Sequence, residues 1–238
     1  MPIPCYLAMT AAEFANVDPL PEKIAWMACH FSCYGTGLSN LPSILPEGSI
    51  IILNDRTPPD RHDPQRITAQ LLELVTELKP DGLLLDFQRR GIDLNRQLAQ
   101  MLPNALPCPV GVTAEYADDS GCAVFLEPPP LHITLNDYIT PWAEREIWLE
   151  IAPQTFTYTV TEKGCNIEEQ ENFSLPEPVF PENSLFCRYH TELLEDAAVF
   201  TLQRTREDLT AMLENSSGIT RAVGLYQQLG NALLPETE

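Results

Sequence analysis

The sequence is poor in positive charge: 14 Lys and Arg stand against 34 Asp and Glu among 238 residues, a formal net charge of −20. A surface that negative repels phosphate backbones and anionic headgroups, and no basic cluster reverses the balance locally, so neither nucleic-acid nor membrane binding is expected. No apolar run approaches the ~18 residues of a membrane-spanning helix. Met1 to Phe14 carry no Lys or Arg ahead of an apolar stretch, as a secretory leader would. Read from Met1 the protein is expected to be cytoplasmic; a chain trimmed of its leader would read the same way. Paired cysteines are missing as well. Cys5, Cys29, Cys33, Cys108, Cys122, Cys165 and Cys187 form no CxxC, and His30, His62, His132 and His190 are scattered. No metal site is therefore expected, and the thiols read as buried and reduced. GxGxxG is absent, since Gly35 and Gly37 do not complete it, and so is GxSxG. The first absence argues against a dinucleotide and the second against a nucleophile elbow, so no cofactor is expected.

What is present is a core and an order. Hydrophobic residues make up 44% of the chain, enough for one large domain over residues 1–238. Eight short apolar runs follow one another: Cys5–Met9, Ile24–Phe31, Ser49–Leu53, Gly82–Phe87, Pro109–Thr113, Cys122–Leu126, Glu146–Ile151 and Ala222–Tyr226. They are continuous rather than alternating, as in parallel strands buried on both faces. Pro64–Leu78 sets Ile67, Leu71, Leu74, Val75 and Leu78 on one helical face, Asp93–Leu102 is a shorter helix with Asp93 as its N-cap, and Arg206–Leu213 is another. Alternation of this kind builds an open doubly wound sheet or a closed barrel, and a count of eight strands favours the (β/α)8 barrel. Thr155–Val160 alternates with period two and is followed by a turn at Glu162–Gly164 and a polar stretch, Asn166–Asn183. This predicts a β-hairpin and loop inserted over about residues 155–203, between the seventh and eighth strands.

Barrel enzymes place their chemistry where strands end. The pointed segment is Asp81-Gly82-Leu83-Leu84-Leu85-Asp86-Phe87-Gln88-Arg89. Gly82, Leu84, Asp86 and Gln88 are two apart and share a face, and an Asp closing so apolar a strand is costly unless it is bonded or in use. The segment resembles DGxDxDxE, the signature of the family 18 glycoside hydrolases (chitinases and related N-acetylglucosaminidases) on their fourth barrel strand. Asp81, Gly82 and Asp86 match it; Leu84 stands in place of its middle Asp and Gln88 in place of its catalytic Glu. Glu146–Thr159 is similar to that family's seventh strand running into an inserted hairpin. Ser217–Gly230 is similar to its closing strand, with Tyr226 at the place of a sugar-stacking Trp.

The resemblance implies a (β/α)8 barrel with a carbohydrate or other small-molecule ligand. It also implies a defect. In the family the Glu protonates the glycosidic oxygen while the substrate's acetamido group, steadied by the neighbouring Asp, attacks. The carboxamide of Gln88 has no proton acidic enough to give, and such a loss costs on the order of 10²–10⁴-fold. Standard hydrolysis is therefore not expected, leaving a sugar-binding barrel. The runner-up is an active glycan hydrolase in which Glu115, after Pro109–Thr113, or Glu127, before three prolines, works with Asp86. Glu150 is expected to point toward the outer helices, and Trp26, Trp142 and Trp148 to belong to packing. A barrel acting on a phosphorylated metabolite has only Ser216-Ser217-Gly218 as a thin phosphate loop. The sequence leaves the oligomeric state open.

Overall fold

The computed structural model describes residues 3–34, 37–59, 61–118, 120–170, 175, 179 and 185–230. All eight apolar runs form strands: β1 (Cys5–Met9), β2 (Ile24–Phe31), β4 (Ile50–Asn54), β5 (Gly82–Asp86), β6 (Val110–Thr113), β7 (Ala123–Leu126), β8 (Ile147–Glu150) and β13 (Ile219–Leu225). Each pairs in parallel with its neighbour, and β1 pairs with both β2 and β13, which closes a (β/α)8-type barrel. A two-residue strand, β3 (Leu38–Ser39), pairs antiparallel with the end of β2.

Side chains alternate across the barrel wall with period two, which splits the core in two. Tyr6, Ala8, Ala25, Ile50, Ile52, Leu84, Ala123, Phe125, Trp148 and Val223 fill the interior. Their strand neighbours, among them Leu7, Ile51, Leu83, Leu85, Val112 and Leu149, pack outward with Ile67, Leu71, Leu98 and Leu102 of the helices. Trp148, fully buried, is the bulkiest interior group. Its indole lies where Cβ atoms on Gly82 and Gly111 would fall, 2.8 and 2.6 Å from ring carbons. Glycine at both positions makes room for the ring.

Between strands lie the helices α1 (Ala11–Asn16), α2 (Pro64–Leu78), α3 (Asp93–Ala105), α4 (Leu135–Ile139) and α5 (Arg206–Glu214), and α6 (Tyr226–Leu229) follows β13. α2 has the expected bounds: Asp63 caps it by accepting from the Gln65 amide, Pro64 opens it, and Lys79 ends it in the left-handed region ahead of Pro80. α3 differs from expectation. Ile92 occupies the cap position with no side-chain bond, and Asp93 is the first helical residue, paired instead with Arg96 at 3.0 Å. Pro103 lies in its last turn. Pro103 has no N–H for the Ala99 carbonyl, which accepts from the Cys122 thiol at 3.2 Å.

The insertion between the seventh and eighth barrel strands is a four-stranded antiparallel sheet rather than a single hairpin. β9 (Gln154–Thr161) and β10 (Gly164–Glu169) form the expected hairpin, and β11 (Arg188–Leu193) and β12 (Ala198–Arg204) complete the order β10-β9-β12-β11. Most of the polar stretch 166–183 beyond Gln170 lies outside the described residues. The buried Arg204 ties this sheet to the barrel by donating to the carbonyls of Pro129, Leu185 and Phe186. Pro129 belongs to the loop leaving β7, so the insertion braces one wall of the barrel mouth.

Candidate functional site

The carboxyl-terminal ends of β4, β5, β7 and β8 converge on one mouth. On β5, Gly82, Leu84 and Asp86 face the interior, and the strand ends at Asp86. Phe87 turns outward between Phe31 and Tyr116, with ring centroids 6.1 and 5.9 Å away. That anchor lets Gln88 leave the strand over the mouth, where its Nε2 donates to Asp86 Oδ1 at 2.5 Å.

Asp55, directly after β4, holds this turn in place. Its buried carboxylate accepts from the backbone N–H of Gln88 at 2.9 Å and of Arg89 at 3.0 Å, and from Asn95 Nδ2 at 2.9 Å. The Arg89 guanidinium returns to the carbonyls of Asp55 and Arg56. Asn54 in turn donates to the carbonyls of Met27 and Cys29 where β2 is bulged. Sequence reasoning passed over Asp55, although it obeys the rule that singled out Asp86: an acid closing an apolar strand, here Ile50–Asn54.

Beneath Gln88 lies a cavity of about 110 Å³ lined by Asn54, Arg56, Leu84, Asp86, Phe125 and Glu150, among others. A groove of about 350 Å³ adjoins it, lined by Arg90, Glu115, Glu127 and Tyr138; Gln88, Phe125 and Glu150 line both. Asp86, Gln88, Glu115 and Glu127 are thus brought to one mouth, the last three exposed. Tyr226 opens α6 and packs against the outer core, and it is not among the residues lining the cavity or the groove. Ser216-Ser217-Gly218 precedes β13 and so lies at the opposite end of the barrel. Asp81 is also at that end, accepting from the Tyr6 hydroxyl at 3.1 Å and pairing with Lys23 at 3.4 Å. Among the described residues, no group of three or more His, Cys, Asp or Glu could hold a metal ion.

Glu150 does not point to the outer helices. It shares its face of β8 with the interior Trp148, while Ile147 and Leu149 pack outward. The signal was the spacing Glu146, Trp148, Glu150, three large side chains two apart. Burial, then the charges of Asp86 and Glu127, push its carboxyl up to about 7. Asp86 is also raised, chiefly by burial, with the Gln88 amide and Arg56 acting against Asp55 and Glu127. The Tyr138 hydroxyl is pushed up to about 12 by burial and by Glu127 and Glu150.

This has a thermodynamic consequence. In the unfolded chain Glu150 titrates near its ordinary 4.5 and in the fold at about 7, so between those values the native state holds the extra proton. The contribution of this group to stability is greatest below the lower value, falls as pH rises, and levels off above the upper one. Glu150→Gln removes that slope. It is expected to match the wild type in acid and to exceed it by about 2 kcal/mol in alkaline buffer, after discounting for residual solvent. Urea unfolding of both proteins across the pH range measures this.

Several solved structures share the architecture. The chitinase-like agglutinin RobpsCRA from Robinia pseudoacacia superposes with a TM-score of 0.59 at 11% identity, over 97% of this chain and 97% of its own. A GH18 chitinase from Cycas revoluta, a double mutant in complex with (GlcNAc)4, gives 0.56 at 10% identity, over 96% of each chain. The spore cortex-lytic enzyme SleL of Bacillus megaterium QM B1551 gives 0.54 at 9% identity, over 93% of this chain and 70% of that one. No protein-family model matches the sequence, and no curated protein does. The fold is that of the GH18 chitinase-like proteins.

Proposed function

We propose that this chitinase-like barrel binds a carbohydrate across its mouth and that position 88 serves it as a sugar contact rather than as an acid. The observation that carries the reading is the Gln88 amide over the cavity, bonded to Asp86 where the resembling signature has a carboxylic acid. A carboxamide can donate to and accept from sugar hydroxyls, but it cannot protonate a leaving group. Leu84, buried in the barrel, likewise cannot steady an acetamido group as a carboxylate would. Around Gln88 the groove offers what a saccharide needs: flat apolar faces from Phe125 and Tyr138 and hydrogen-bonding groups from Glu115, Glu127 and Arg90. Similar structures include an agglutinin and a chitinase holding (GlcNAc)4, which supports a saccharide as the ligand. The barrel and its insertion over about residues 155–203 are taken together as one domain.

Titration calorimetry of the full chain with (GlcNAc)4 and with cello-oligosaccharides tests this. Binding of at least one series is expected, weakened about tenfold by Gln88→Ala, the loss of about 1.4 kcal/mol that one hydrogen-bonding side chain supplies. Heats at the level of buffer dilution for every oligosaccharide would sink the proposal.

A further inference from the structure

We propose that Glu150 is a general acid for glycosidic-bond cleavage at this mouth, with Asp86 as the base across the cavity. This rests on the reading of the mouth as a carbohydrate site and adds an activity to it. Three observations place Glu150 in that role. It closes β8 on the inner face, at the end of the barrel where strand termini meet. It lines both the cavity and the groove, so a saccharide lying in the groove brings a linkage to the point where the two join. Its carboxyl takes no hydrogen bond from any described residue, which leaves it free for a ligand. Asp86 on the same cavity differs in this respect, because Gln88 Nε2 donates to it. That bond favours the carboxylate of Asp86 and leaves the proton to Glu150, the division of labour between two acids that general acid–base chemistry requires.

The groups facing Glu150 are consistent with this. Asp86 and Glu127 act on its carboxyl with like charge, Tyr138 lies beside it in the groove, and Arg56 on the cavity wall acts on Asp86. Together with burial they keep a large fraction of Glu150 protonated at neutral pH.

In the step, the Glu150 proton passes to the glycosidic oxygen as the C1–O bond breaks, releasing the leaving saccharide as an alcohol. A water oxygen forms the new bond to C1 from the side of Asp86, which takes the water's proton. Exchange of that proton with solvent, and reprotonation of Glu150, restore the pair. One glycoside and one water give two saccharides, with inversion at C1. The sugar's acetamido group has no part in this route, so substrates with and without it are cleaved alike, unlike the substrate-assisted scheme that Leu84 and Gln88 have disabled.

The test measures product release and anomeric configuration with (GlcNAc)4 and cello-oligosaccharides, beside calorimetric binding. Slow turnover with inversion is expected, falling on the alkaline side as Glu150 deprotonates. Glu150→Gln, nearly isosteric, lowers kcat by about 10²–10⁴-fold and leaves Kd within about threefold, while Glu73→Gln, exposed on α2 and lining neither the cavity nor the groove, leaves both unchanged. Circular dichroism verifies the fold of each variant, and Glu150→Asp, with partial activity, separates chemistry from misfolding. Binding without turnover at any pH where the fold persists overturns the inference and spares the binding reading. Turnover that survives Glu150→Gln, or that is lost only in Glu127→Gln, also overturns it; the absence of binding overturns both.

Discussion

Trp148→Ala lowers the free energy of unfolding by about 3–5 kcal/mol, the range for truncating a large buried aromatic. The side chain is fully buried at the centre of the barrel, and its ring fills the space that Gly82 and Gly111 leave. Two glycines cannot grow into the void, and the other interior residues of those strands are fixed by the closed register, so little relaxation offsets the loss. Neighbouring groups are lost with it. Arg221 stacks over the indole at 4.7 Å, and the ring N–H donates to Glu146 Oε1 at 2.9 Å. The reverse substitution, Gly111→Ala, sets a methyl 2.6 Å from the ring and is expected to cost about 1–3 kcal/mol by overpacking. Chemical denaturation of the two variants and the wild type reads both effects. A Trp148→Ala loss under about 1 kcal/mol would mean that the ring is not the interior's keystone.

Asp55→Ala is expected to cost about 3–4 kcal/mol and to weaken ligand binding as well. The substitution strands the backbone N–H of Gln88, that of Arg89 and the Asn95 amide, all of which now donate to this buried carboxylate. Each donor left unsatisfied costs about 1–3 kcal/mol where water cannot reach it, and the exposed turn recovers part of that from solvent. Asp55→Asn keeps the shape but turns one acceptor into a donor, so an intermediate loss is expected. Hydrogen exchange at the Gln88 and Arg89 amides distinguishes this role from general destabilisation: those two protons should exchange faster even where the barrel strands keep their protection. Unchanged exchange there would show that Asp55 does not hold the turn.

Much of the fold was legible in the sequence, because a buried parallel strand is a local pattern. Each of the eight apolar runs became a barrel strand, and α2, with Asp63 and Pro64 at its start and Lys79 at its end, has the expected bounds. The insertion was placed between the seventh and eighth barrel strands with nearly its observed bounds, but only its first hairpin was read as strand. β11 and β12 carry polar and half-exposed residues such as His190, Thr191 and Gln203, and the pairing of β12 with β9 joins segments some forty to fifty residues apart in the chain. A cap was misassigned at Asp93, where first-turn and cap positions are one residue apart and both favour acids.

The site was half legible. Asp86 and Gln88 stood out because an acid and an amide two apart on an apolar strand are conspicuous at short range. Glu150 and Asp55 did not, for the reason that made the strands easy to find. When both faces of a strand are apolar, the run itself does not say which face turns inward, so Glu150 could be assigned to either side. The sequence by itself determined the order of strands and helices, the strand ends on which acids fall, and the amide side chain at position 88. Only the closed barrel decided that Trp148, and with it Glu150, faces inward. The pairing of β4 with β5 and of β7 with β8 brings residues 55, 86, 127 and 150 to a single mouth. Burial, and then the neighbouring carboxylates of Asp86 and Glu127, raise the Glu150 carboxyl to about 7, a shift that arises from groups distant in the chain and that no local pattern encodes.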